Sequence, residues 1–185
     1  MAVLGVVLVV SGIMKLADTA PTEAMFGAMR LPDSAVVVRL VALYEIVVGV
    51  GVIVFGGRLF AALVGVSFAV FTVVSALLLA RGERSVSCGC FGRSSATISP
   101  IHVAVDGVAT AVAVVATVLG VPAFFDIAAD LPGAGIPQAL LILLTAALTI
   151  AVLTVLPETM QAARRTPTSG PADAVPTFGL TGAAS

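Results

Sequence analysis

The sequence predicts an all-α protein, a polytopic transmembrane helical bundle of about five helices with a core of four and a disordered C-terminal tail. Three observations predict it. The 185-residue chain is 59% hydrophobic and only 10% charged, against roughly 45–50% and about 25% in soluble domains. Its mean hydropathy is +1.19. Its apolar residues fall in runs close to the ~20 residues that cross a hydrocarbon core. Water cannot solvate a surface so poor in charge, so lipid is the solvent and the bilayer is the first partner. The length suits one domain: a transmembrane domain over 1–156, then a cytoplasmic tail over 157–185.

The first apolar stretch runs from Met1 to Met14 and meets Lys15. A lysine that snorkels to the interface lets the helix continue through Ala17. A cleaved signal peptide is the alternative, but no basic residue precedes Lys15, and such peptides begin with one. Asp18–Ser34 is polar, broken by Pro21 and Pro32, and predicts a short interfacial helix around Thr22–Arg30. Ala35–Phe55 and Leu59–Ala80 are the next two spans, and the tight turn at Gly56–Arg58 makes them antiparallel neighbours. The polar connection Arg81–Pro100 follows. Ile101–Gly120 is the next span, with Ser99 as its N-cap and Pro100 at its first position. Val121–Ile136 reads as a loop and Pro137–Leu156 as the last span. Beyond Pro157 the chain turns to Thr, Pro, Ser, Gly and Ala, which cannot bury enough apolar area to fold.

Lipid supplies no hydrophobic drive between helices, so small residues must let backbones approach. Ala61, Gly65 and Ala69 form one such stripe, and Gly107 and Ala111 another, while Gly49 lies four residues from Glu45.

Charge bounds both class and orientation. The net charge is −1, and no Lys/Arg cluster is dense enough for a nucleic-acid surface. Trp is absent and Tyr occurs once, so the aromatic interface belt is missing. Five spans put Lys15, Arg30, Arg39, Arg81, Arg84, Arg93, Arg164 and Arg165 on one side and Arg58 on the other. The positive-inside rule then predicts a multi-pass cell-membrane protein with its N-terminus outside, and its C-terminus and the Arg81–Pro100 loop in the cytoplasm.

That loop holds the chain's two cysteines, Cys88 and Cys90, within Ser87-Cys88-Gly89-Cys90-Phe91-Gly92-Arg93. Two thiols flanking one Gly can close a small ring, in which Gly relieves backbone strain. Small rings distort disulfide geometry, and strain makes the bond more reducible. The pair would close almost no loop, so it suits exchange better than stapling. Arg84, Arg93 and the dipole of the helix starting near Ser99 all favour a thiolate. Two other readings stay open. The cysteines are small buried hydrophobes, or Cys88, Cys90, His102 and Asp106 together reach the four ligands of a structural zinc site.

Two acids fall inside spans. Glu45 is central in its helix, where an ionised carboxylate costs about 2.5–3.5 kcal/mol or more. It therefore faces the bundle, protonated or paired, as a proton carrier or as a packing hydrogen bond. Lys15 is a candidate partner, although the simplest placements set it half a membrane away. Asp106 lies about one turn into its helix with His102 on the same face, where the two could pass protons near the cysteines. Interfacial solvation is the plainer account of Asp106. Nothing in the sequence gives direct evidence for a quinone, and no cofactor is expected.

Ser11-Gly12-Ile13-Met14-Lys15-Leu16 and Leu43-Tyr44-Glu45-Ile46-Val47-Val48-Gly49 resemble motifs of DoxX-like membrane proteins. Cys88-Gly89-Cys90-Phe91-Gly92 resembles the signature of the methylamine utilisation protein MauE branch, and the likeness extends over roughly residues 1–156. The resemblance implies a redox-associated membrane protein acting with a thioredoxin-like partner. It also implies a role in methylamine metabolism, through maturation of the disulfide-rich small subunit of methylamine dehydrogenase or a similar client. Two rivals are a non-catalytic scaffold of a redox complex, which would tolerate Cys→Ser changes, and a metal-binding protein, which would lose its metal with His102→Ala.

Overall fold

The computed structural model describes residues 1–82, 98–130, 133 and 135–165. Those residues form seven helices: α1 Ala2–Ala17, α2 Ala20–Ala28, α3 Ala35–Val54, α4 Gly57–Ala80, α5 Pro100–Leu119, α6 Phe124–Asp130 and α7 Gly135–Arg165. Four are long and apolar enough to cross a membrane, in α3, α4, α5 and Gly135–Val155 of α7; α1 with α2 makes a fifth such segment, bent by 97°. The protein is a multi-pass membrane protein built as a helical bundle, as the composition predicts.

Local chemistry sets the ends. Ser34 caps α3, its hydroxyl accepting from the Val37 amide at 3.4 Å. Ser99 and Pro100 open α5 as expected, with His102 completing a capping box. The Leu31 amide donates to the Phe26 carbonyl and the Arg30 amide to that of Gly27, the two bonds of a Schellman ending. Arg30 sits at φ +59°, where Gly is the usual occupant.

The bundle is two closely packed antiparallel pairs, α1 with α3 and α4 with α5, with α7 lying against α1 and α5. Between the pairs, the Ser67 hydroxyl of α4 lies 3.5 Å from the Tyr44 hydroxyl of α3. At one end the Gly57 amide donates to the Val121 carbonyl at 2.8 Å. There Gly56, at φ +60°, lets the α3–α4 turn meet the chain after α5; a Cβ on it would come within 2.7 Å of the Ala123 nitrogen. At the other end α2 lies across the bundle, seated by buried Thr22 and Met25. An Arg81 guanidinium nitrogen lies 3.9 Å from the Met29 sulfur, which ties the end of α4 to α2.

Outward faces are apolar and inward ones carry the polar groups. Val36, Leu40, Leu43 and Val47 make an exposed stripe along α3, and Val108, Val112, Val115 and Val118 one along α5. Ser11, Lys15, Glu45, His102 and Asp106 are buried. Such a molecule is stable only with lipid against those stripes.

The structure corrects several expectations. Lys15 does not snorkel; it is 2% exposed inside the bundle, so it drops out of the count of interfacial cations. Asp106 is not solvated at an interface, since it is buried at 4% exposure. On α5 the contact face is Ala109 and Ala113, both buried, whereas Ala111 faces outward. The Val121–Ile136 connection holds a short helix, α6. The last helix does not stop at Leu156 but continues through Pro157 to Arg165. Cys88, Cys90, Arg84 and Arg93, and the tail over 166–185, lie outside the described residues.

Candidate functional site

A cluster of ionisable side chains sits inside the bundle toward the end covered by α2. Its centre is an ion pair. The Lys15 ammonium donates to both Glu45 carboxylate oxygens, at 2.7 and 2.8 Å, and to the Ser11 hydroxyl oxygen at 2.8 Å. Ser11 in turn hydrogen-bonds the Glu45 carboxylate, closing a three-membered network. The Phe71 ring of α4 lies beneath the ammonium, 5.1 Å from its centroid, a cation–π geometry strengthened where water is absent.

The pairing follows from helix geometry. A Cβ on Gly5 would lie 2.8 Å from the Gly49 carbonyl oxygen, and one on Gly12 2.6 Å from that of Ala42. These contacts fix α1 and α3 as antiparallel with their backbones touching. In that register Lys15 is level with Arg39, six residues or about 9 Å from Glu45 along the axis. Helical side chains lean toward their own N-terminus. Antiparallel helices lean in opposite senses, so Lys15 and Glu45 converge and their long side chains close the gap. Gly12 and Gly49 of the two sequence motifs make the close approach, and Ser11, Lys15 and Glu45 occupy the seam it creates.

On the facing pair, Gly65 of α4 meets Ala113 of α5, and Thr72 meets Gly107. That register sets Asp106 level with Thr72 and Val73, next to Phe71, and Lys15 is close enough to act on Asp106 electrostatically. Among the described residues the Asp106 carboxyl makes no hydrogen bond. His102, one turn away on the same face, is 2% exposed. Its Nδ1 accepts from the Ser99 amide at 3.3 Å and lies 3.1 Å from the Ser99 hydroxyl. Its ring also hydrogen-bonds the backbone of Leu153 in α7. With Nδ1 accepting, the proton sits on Nε2, the donor that suits a carbonyl. That carbonyl is available because its helical donor would be the amide of residue 157, which is proline and has none.

The structure thus brings together Glu45, Asp106 and His102 from the sequence-predicted set. Lys15, the candidate partner named for Glu45, is its ion-pair partner, whereas Ser11 and the Leu153 carbonyl are members that the sequence reading left out of the site. Their signals were the four-residue spacing of Ser11 and Lys15, and Pro157 four residues after Leu153. Cys88 and Cys90 lie outside the described residues, and the chain leaves and re-enters at Gly82 and Ile98, both at the α2 end; Ile98 is buried. Among the described residues no group of three or more His, Cys, Asp or Glu could hold a metal.

Fold and cluster together define a class, a polytopic membrane protein with an ion pair and a further acid sealed in its helical core. The sequence model of the methylamine utilisation protein MauE family matches residues 1–121, which span α1 to α5 and about two thirds of the chain. The chain belongs to that family. No curated protein and no solved structure matches it.

Proposed function

We propose that the protein is a membrane thiol–disulfide exchange component in which Cys88 and Cys90 cycle between dithiol and disulfide. In one direction the protein's dithiol gives two electrons and two protons to a disulfide of a thioredoxin-like partner. A Cys88–Cys90 bond forms and the partner's S–S bond breaks through a mixed disulfide. The reverse reaction passes oxidising equivalents on, toward a disulfide-bearing client such as the methylamine dehydrogenase small subunit. The orientation proposed from the Lys/Arg asymmetry puts the N-terminus outside the cell membrane and the C-terminus inside. It rests on the remaining cations with Lys15 set aside.

The observation that carries this reading is membership of the MauE family, taken with the Cys88-Gly89-Cys90 motif in the sequence. The described residues on either side of that motif, Gly82 and Ile98, lie at the end of the bundle where His102, Asp106 and the Lys15–Glu45 pair are buried.

Single Cys88→Ser and Cys90→Ser variants test it. One of them should accumulate a mixed disulfide with a thioredoxin-like protein, visible as a reductant-sensitive adduct, and both should lose client oxidation. Unimpaired client oxidation in both variants, with no adduct, would establish the scaffold reading instead.

A further inference from the structure

We propose that Asp106 is a proton-binding site of the bundle, carrying one proton while Glu45 stays ionised against Lys15. The inference does not rest on the cysteines. Two carboxyl groups and one ammonium share the interior, all at 4% exposure or less. An ammonium has three N–H donors, and those of Lys15 point at Ser11 and the two Glu45 oxygens. Glu45 is thus neutralised in place, whereas Asp106, among the described residues, feels Lys15 through space.

Among the described residues the remaining neighbours add no positive charge. His102 on α5 is neutral, because its Nδ1 accepts from the Ser99 amide. Around the level of Asp106 the α4 side chains Phe71, Thr72, Val73 and Ser75 carry no charge. From α7 the nearest described contribution is the Leu153 carbonyl, which His102 uses. An ionised Asp106 would leave one uncompensated carboxylate in a lipid-enclosed core, which burial strongly disfavours. Taking up one proton makes the cluster of Lys15, Glu45, Asp106 and His102 neutral. The sequence reading placed the proton carrier at either acid; the geometry separates them, with Glu45 as the fixed counter-ion and Asp106 as the group that gains and loses the proton.

Infrared spectroscopy of the full chain in lipid vesicles tests this, because a protonated carboxyl has a C=O stretch apart from amide and carboxylate bands. At neutral pH the wild type should show one buried carboxylic-acid band. Carboxyl-labelled aspartate should shift that band and carboxyl-labelled glutamate should not, a readout that needs no variant. Asp106→Asn should abolish it. Lys15→Met should add a second, glutamate-derived band, as Glu45 loses its counter-ion and takes a proton. Absence of the band from the wild type, or its shift with labelled glutamate instead of aspartate, would overturn the proposal.

Discussion

The two helix pairs of this bundle solve the same packing problem by different means. The α1–α3 seam brings backbone to backbone at Gly5, Gly12 and Gly49, where an added Cβ would fall within 2.6–2.8 Å of a carbonyl oxygen. It then spends that closeness on an ion pair with both partners 2% exposed or less. The α4–α5 seam is looser and has no charge pair. Gly65 has 3.3 Å to the Ala113 side chain, Gly107 has 4.0 Å to Thr72, and the polar link is a 3.5 Å contact between Thr72 and Thr110. Where backbones touch, long charged side chains can be held in one geometry. Where side chains separate the helices, a buried acid such as Asp106 is left without a hydrogen bond among the described residues.

The comparison predicts a graded series of effects on unfolding in detergent. Removing one member of the ion pair, as Lys15→Met or Glu45→Ala, should cost ~3–5 kcal/mol, because the buried partner loses its counter-ion and its hydrogen bonds. The double variant Lys15→Met/Glu45→Leu should recover most of that loss, since apolar replacement of a whole buried pair is often neutral. Gly12→Ala should cost about 1–3 kcal/mol by forcing α1 off α3, and should weaken the Lys15–Glu45 coupling in a double-mutant cycle. Gly65→Ala in the other seam should change stability by less than ~1 kcal/mol, since a helical Ala gains about what a mild contact loses. Thr72→Val should cost the least, roughly 0.6 kcal/mol, the mean for interhelical polar contacts in membranes. Equal losses from Gly12→Ala and Gly65→Ala would erase the distinction between the seams.

Much of this architecture was legible in the sequence because span length and breakers are local. Ala35 opens α3 and Ala80 closes α4 as expected, and Ser99 and Pro100 start α5. The ion pair was harder to read, since placing residues by height along the membrane normal separates Lys15 from Glu45. Opposed side-chain lean, which exists only once α1 and α3 are known to be antiparallel and in contact, removes that separation. Gly107 and Ala111 share the four-residue spacing of a small-residue stripe, whereas the buried face of α5 follows His102, Asp106, Ala109 and Ala113. Pro157 read as a terminator, yet α7 passes through it, and the carbonyl that Pro157 cannot satisfy is bonded by His102. That compensation joins helices far apart in sequence, so no local pattern displays it. The cysteine pair is legible only as a motif, since it lies outside the described residues.

The measurement that tests the central claim most directly is the redox state of Cys88 and Cys90 in living cells. Cells are quenched with acid, then labelled with a mass-adding maleimide, with and without prior reduction. The account predicts a population whose two cysteines label only after reduction, and whose size falls when the thioredoxin-like partner is deleted. Full labelling of both cysteines without reductant, in every growth condition that demands client oxidation, would contradict it.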